Sequence, residues 1–319
     1  MKLRRVVVVV AVAGLGLVGG LGAGPAAGAE VQVKPKASSA AGPTAVNDAC
    51  RQSVGWFTAT GMNGRAALFS TRPPTIVASE QSWQVLPVKA SANWYTSPID
   101  GSFWEYGNVI SGSALYYAEI FWAHADPTQP SIGTRRIGGG WDRFTQIQTS
   151  NYRDQQGETH NPMFGTLYGL RDDGVLYRWV TKAGRTARPE SYPGFSAVKA
   201  MTLISTTATY DTLLATLRGG SLYTIRIPVA SPMKPIVKAV RTSTWQGFES
   251  LVATRCGTQS TLLTGIDRDT GSAYMYAVGH ANGLSTPIQS LGKVPYAFSN
   301  PVNHTFGGAN GVVDNLFGE

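Results

Sequence analysis

Apolar and polar positions along this chain follow a strand rhythm. Short β-branched and aromatic runs are separated by Gly, Asp, Asn, Ser and Pro, as in Val54-Gly55-Trp56-Phe57-Thr58 and Ala66-Ala67-Leu68-Phe69-Ser70. The helical alternative, apolar residues at i, i+3, i+4 and i+7 between caps, is nearly absent. The pattern predicts an all-β protein of many short strands.

The strands repeat. Thr166–Tyr177, Leu213–Tyr223 and Leu262–Tyr274 each read as a strand, a tight turn and a second strand, with Asp173-Gly174, Gly219-Gly220 and Thr270-Gly271 at the turns. Phe103–Tyr116 is a looser fourth copy, with a longer turn expected between Asn108 and Gly112. An aromatic anchor precedes each unit: Trp83-x-x-Leu86, Trp141-x-x-Phe144, Tyr192-x-x-Phe195, Trp245-x-x-Phe248 and the shortened Tyr296-x-Phe298. The anchors are spaced by 58, 51, 53 and 51 residues. A period of about 50 residues with several short strands per unit marks a β-propeller, and five anchors predict five blades. Too little chain follows Tyr296 for a whole blade, so the last blade is expected to be shared between the two ends of the chain, hiding the open sheet edges. A pair of β-sandwiches would not explain the constant spacing.

The N-terminal region sets the expected compartment. Lys2, Arg4 and Arg5 precede the uncharged run Val6–Gly20, and Ala27-Gly28-Ala29 has the form of a cleavage site. Residues 1–29 read as a secretory signal peptide; a membrane anchor is the rival, but its second half is broken by glycines and Pro25. Residues 30–47, rich in Ala, Ser, Pro and Lys, read as a flexible leader, and 48–319 as a single propeller domain. No later segment is apolar enough to span a membrane. The two cysteines, Cys50 and Cys256, most simply form one disulfide in an exported protein, tying the closure of the ring; two buried thiols are the alternative.

Charged residues are only 14% of the 319, well below the roughly 25% of an average soluble protein, which excludes a solvated coiled coil or a charge-rich disordered chain. The net charge of +8 includes three cations of the signal segment, and no basic run follows it, so nucleic-acid binding is not expected. His124, His160, His280 and His304 are too dispersed for a metal centre, and each reads as a loop or surface histidine. Asp267-x-Asp269-x-Gly271 looks like part of a calcium loop but reads better as a hairpin turn, so no metal or cofactor is expected. Glycosidase chemistry needs two facing carboxylates. The acids in reach are Asp142, Asp154, Glu158, Glu249 and Asp267; Glu249 is the strongest, an acid in a strand-like context whose repeat equivalents are not acidic, yet no partner carboxylate is evident.

The 8 Trp, 13 Tyr and 11 Phe, with abundant small polar residues, suit sugar recognition, in which aromatic faces stack on a pyranose and polar groups bind its hydroxyls. The run Gly140-Trp141-Asp142-Arg143-Phe144, then Leu167-Tyr168 and Gly174-Val175-Leu176-Tyr177, echoed at Tyr192/Phe195 with Leu222-Tyr223 and at Trp245/Phe248 with Ala273-Tyr274, resembles the blade pattern of tachylectin-type five-bladed propeller lectins. The resemblance covers roughly residues 83 to 298. It implies a secreted, non-catalytic lectin that binds N-acetylated amino sugars or a cell-wall glycan between neighbouring blades, with fewer than five working sites. The anchor aromatics read as core; the loop candidates for sugar contact are Trp104, Asn151, Tyr152 and Trp179. Two rival functions remain: a propeller glycoside hydrolase using Glu249 in the central channel, and a cell-surface protein-interaction propeller.

Overall fold

The computed structural model describes residues 50–152, 165–182, 185–307 and 315–319. The expected signal peptide, the whole leader and residues 48–49 lie outside these residues, as do Asp154, Glu158 and His160. Among the described residues there is no helix, hence none long and apolar enough to cross a membrane.

Among the described residues, twenty-one strands form antiparallel meanders. In chain order they are β1 (Arg51–Phe57), β2 (Met62–Phe69) and β3 (Thr75–Gln84); β4 (Ala90–Ile99), β5 (Ser102–Ser111), β6 (Ala114–Ala123) and β7 (Asp126–Gly139); β8 (Phe144–Ser150), β9 (Gly165–Arg171) and β10 (Leu176–Lys182), with the short β11 (Arg185–Thr186) and β12 (Glu190–Tyr192) both pairing β10; β13 (Val198–Thr206), β14 (Tyr210–Leu217), β15 (Leu222–Pro228) and β16 (Ile236–Arg241); β17 (Ser250–Cys256), β18 (Ser260–Asp267), β19 (Ser272–Val278) and β20 (Ile288–Lys293); and last β21 (Val302–Gly307). The late strand β21 pairs antiparallel with β1, completing a first meander of order β3-β2-β1-β21. It also touches β4 in parallel at Phe306↔Trp94 and Gly307↔Tyr95, so the first and second meanders share one hydrogen-bonded sheet.

The leading strand of each meander packs on the next in a cycle: β21 on β4, β4 on β8, β8 on β13, β13 on β17, and β17 back on β21. The fold is therefore all-β and propeller-like. Each of the five aromatic anchors precedes one of these inner strands or overlaps its first residue. Between each pair of neighbouring meanders lies a seam, and each seam holds its own apolar cluster. Inner strands are covered on both faces, which is why β13 reads Val-Lys-Ala-Met-Thr-Leu-Ile-Ser-Thr and is buried almost throughout instead of alternating.

Local chemistry fixes the turns and the link between the first and fifth meanders. Gly174 and Gly220 adopt φ of +79° and +89° in the β9–β10 and β14–β15 hairpins, and a Cβ at Gly174 would stand 2.2 Å from the Ser196 nitrogen. The expected long turn after Asn108 is absent: β5 runs on to Ser111, and the turn is the tight Gly112-Ser113, because Val109 and Ile110 are fully buried and continue the pleat. Cys50 and Cys256 are joined, with Cα atoms 5.4 Å apart, linking the start of β1 to the end of β17. Beside the bond, the fully buried Gln52 donates to the carbonyls of Val252 (3.0 Å) and Leu262 (2.8 Å).

Candidate functional site

The second–third seam carries the most chemically distinctive surface. Cross-strand partners in a sheet share a face, so the pairs Tyr95↔Tyr106 and Asn108↔Tyr117 all look across at the third meander. Trp104, two residues before Tyr106, joins the same face. The rings form a ladder, with centroids 5.1 Å apart for Trp104–Tyr106, 5.9 Å for Tyr95–Tyr106 and 6.2 Å for Tyr106–Tyr117. Opposite stand Thr149 and Asn151 at the end of β8, and Gly165, Thr166 and Leu167 of β9. With Tyr95, Tyr106, Asn108 and Tyr117 they enclose a cavity of about 60 Å³.

Its polar groups are fixed. The Tyr95 hydroxyl donates to the Thr149 carbonyl at 2.8 Å, and the Asn93 amide donates to the same oxygen at 3.2 Å. The Asn93 Oδ1 is buried with no hydrogen-bond partner among the described residues. Trp104 Nε1 donates to Glu119 Oε2 at 3.1 Å, and the Arg135 guanidinium lies 5.6 Å from the Tyr117 ring centre. Burial pushes the Tyr95 and Tyr117 phenols far above their usual range, helped by Tyr106 and Glu119 respectively, so both stay neutral donors.

All four sequence candidates fall along this one seam. Asn151 lines the cavity, and Tyr152 is exposed just beyond it. Trp104 and Trp179 are not loop residues as expected: they sit on β5 and β10, where strand alternation turns them onto the seam-facing side. Trp179 is part of the seam's core, its ring centre 4.7 Å from that of Trp141. The sequence reading missed Tyr95, Tyr106 and Tyr117. Their signal was present, as aromatics at alternate positions on strands that pair, but it emerges only once register is known.

The other seams are filled at the corresponding depth. In the third–fourth seam, Asp211 accepts from Ser150 Oγ (2.7 Å) and the Tyr168 hydroxyl (2.8 Å), and the buried Arg178 ion-pairs with Glu190. Burial lifts the Asp211 carboxyl to about 6 against the pull of Ser150, Tyr168 and Arg178. In the fourth–fifth seam, residues 315–319 lie in the groove. Gly318 N donates to the Ile204 carbonyl (2.8 Å), and Glu319 takes bonds from Thr212 Oγ1 (2.5 Å), Arg226 Nε (3.2 Å) and the Tyr210 hydroxyl (2.7 Å). By register Tyr210 and Thr212 stand where Trp104 and Tyr106 stand in the second meander. In the first–second seam, the buried Glu105 ion-pairs with Arg65, and His304 stacks on Phe57 at 4.9 Å. His304 corrects the surface expectation. It is buried on β21 with both ring nitrogens unpartnered, and burial lowers its pKa to about 3. His124 and His280 are exposed as expected.

The channel mouth is the second candidate. A cavity of about 390 Å³ opens where the five inner strands begin, lined by Ser91, Gln146, Gln148, Lys199, Ser250 and Asn303 among others. Glu249 stands on its wall, one residue before β17 and not within it. Its Oε1 is ion-paired with Lys199, and its Oε2 accepts from the Arg268 backbone at 2.8 Å. The carboxylate partner that the sequence did not reveal is Asp267: oxygens of Glu249, Asp267 and Asp269 lie within 4.8 Å of one another. Asp267 Oδ1 also accepts from the Asp269 and Thr270 nitrogens at 3.0 Å each, which makes this segment the hairpin turn expected. Burial pulls the Asp267 carboxyl upward, but the bonds from Thr270 and Asp269 and the Lys199 charge outweigh it and hold it below its usual range. Asp142 is exposed, and its carbonyl accepts from Lys89.

No family model and no curated protein matches the sequence. Among solved structures, the chain is similar to the catalytic domain of a GH62 α-L-arabinofuranosidase from Coprinopsis cinerea, with 14% identity over 72% of this chain and 80% of that one and a TM-score of 0.43. It is similar to an α-L-arabinofuranosidase from Podospora anserina in complex with cellotriose, with 12% identity over 70% and 74% and a TM-score of 0.40. It is also similar to a mutant of AofleA from Arthrobotrys oligospora, with 13% identity over 77% and 90% and a TM-score of 0.36. At this level of likeness the sites are read from their own residues.

Proposed function

We propose that the protein is a secreted, carbohydrate-engaging five-bladed β-propeller, its ring closed by the blade that the two ends of the chain share, and that it binds sugar in the second–third seam. The observation that carries this is the ladder of Trp104, Tyr95, Tyr106 and Tyr117 facing fixed amide and hydroxyl groups. Aromatic faces take the apolar face of a pyranose, and the amides and hydroxyls take its polar edge. A cavity of about 60 Å³ has room for a ring substituent, not a ring. An acetamido group, with one acceptor, one donor and a methyl, has that size and chemistry, and the unpartnered Asn93 Oδ1 is available to its N–H. N-acetylated amino sugars and the tachylectin-type reading of the blade pattern belong with this proposal. One working seam predicts a stoichiometry near one. Trp104→Ala should weaken N-acetylglucosamine binding in calorimetry about tenfold while leaving the melting temperature nearly unchanged. Unchanged affinity in that variant would remove the site from this seam.

A second reading is hydrolysis of a glycosidic bond at the channel mouth. It is favoured by the Glu249–Asp267 pair, whose oxygens lie within 4.8 Å, close to the roughly 5 Å of a nucleophile and acid pair in retaining enzymes. Against it stands the engagement of both Glu249 oxygens, one by Lys199 and the other by the Arg268 backbone. Release of reducing sugar from an arabinoxylan or cellulosic substrate, abolished by Glu249→Gln, would establish this reading over the first.

A further inference from the structure

We infer that the channel mouth is a second binding site, separate from the seam, for a small oxyanion-bearing molecule. The cavity of about 390 Å³ falls in the roughly 300–1,000 Å³ range of small-molecule sites. Its wall is cationic in a repeated way. The β9–β10, β14–β15 and β18–β19 turns each supply an arginine, Arg171, Arg218 and Arg268, and the repeated Val-Lys-Ala at 88–90 and 198–200 supplies Lys89 and Lys199.

Two of these charges are neutralised in place. Arg171 pairs with Asp173 and Lys199 with Glu249, and the remaining lining acid, Asp172, pairs with Arg143. Lys89, Arg218 and Arg268 meet no acid among the described residues. Each is held instead by a backbone carbonyl: Lys89 by Asp142, Arg218 by Ser196, and Arg268 by Pro301 at 2.5 Å. A carbonyl fixes the side chain without cancelling its charge. Three cations outside any ion pair among the described residues, from three different meanders, therefore stand ready-placed around one concavity, beside the Glu249–Asp267–Asp269 cluster. Such an arrangement favours charge-assisted bonds at little cost in side-chain ordering. The Asn303 amide, both of its polar atoms buried and unpartnered, adds a donor and an acceptor for a neutral hydroxyl. The ligand class is a small polar molecule carrying carboxylate, sulfate or phosphate groups.

The test is calorimetric titration of the secreted protein at low ionic strength with digalacturonate, glucose 6-sulfate and inorganic phosphate, with lactose as the neutral control. The expected result is binding of at least one oxyanion near one per chain, with no heat from lactose. Arg218→Ala with Arg268→Ala should weaken it about tenfold, and added salt should weaken it further. Both arginines are exposed, so a circular-dichroism melt should match that of the wild type. Trp104→Ala should leave this binding intact, which separates it from the seam. Binding of phosphate alone would support the oxyanion chemistry and remove sugar from it. No heat with any of the three anions, or equal affinity in the double variant, would overturn the inference.

Discussion

The second–third and fourth–fifth seams are built from the same register positions, yet one keeps a cavity and the other is occupied by the protein itself. In the occupied seam Tyr210 and Thr212 bind Glu319; in the open one Trp104 and Tyr106 hold those positions, and Tyr106 faces a cavity lined by further tyrosines. The pleat positions are the same, and the side chains decide whether a seam is structural or available. The remaining seams fall on the structural side, closed by a disulfide, a buried Asp211 network or the ion pair of the buried Glu105 with Arg65.

The strongest way to break the contrast is to open a closed seam. Cys256→Ser removes a bond spanning 206 residues, whose chain-entropy contribution is up to about 5 kcal/mol. The melting temperature should fall by roughly 10 °C or more, while sugar affinity in folded protein stays unchanged.

Titration opens the third–fourth seam more gently. Asp211 has a folded pKa near 6 against an ordinary 3.8, so it binds its proton more tightly in the folded state. Its stabilising contribution is complete below pH 4 and is lost as pH rises through 6, by about 3 kcal/mol. Asp211→Asn, which cannot ionise, should therefore melt higher than wild type at pH 8 and not at pH 4. His304 has the opposite sign. Its pKa is depressed to about 3, so stability is present above pH 6.5 and drains as pH falls towards 3. His304→Phe, which keeps the aromatic stack, should flatten the acid limb of a melting-temperature profile.

The smallest expected effect tests the occupied groove itself. Glu319→Gln keeps the shape but removes the charge facing Arg226, which is one-third exposed. Denaturant unfolding should show a loss of about 1 kcal/mol, again with seam binding unchanged. A change in sugar affinity would mean that the two seams are coupled.

Much of this architecture could be read before any coordinates. Turn glycines located the β9–β10, β14–β15 and β18–β19 hairpins, and the aromatic anchors located the five inner strands, because both depend on local chemistry that recurs in each unit. The site was harder for a physical reason. Tyr95, Tyr106 and Tyr117 lie on three strands and become one surface only through pairing register, which a linear pattern does not contain. Trp104 and Trp179 were singled out for being aromatic and assigned to loops, whereas a strand serves equally well when its face meets a seam. Asp267 escaped notice as the neighbour of Glu249 because a turn brings them together. His304 was misjudged because nothing in Val-Asn-His-Thr-Phe signals a strand covered on both faces.

The pairing of β21 with β1 has a consequence for the order of events in the cell. Meanders two to five can each form as their residues leave the ribosome, since each is contiguous. The first cannot: β1–β3 are made early and wait, one edge unpaired, for a strand some 245 residues later. Such distant pairing makes for slow acquisition of the native state and a long exposure to misassembly. The Cys50 thiol has a similar wait for Cys256, so oxidation is a late event, and a chain interrupted before β21 is left with one edge of β1 unpaired.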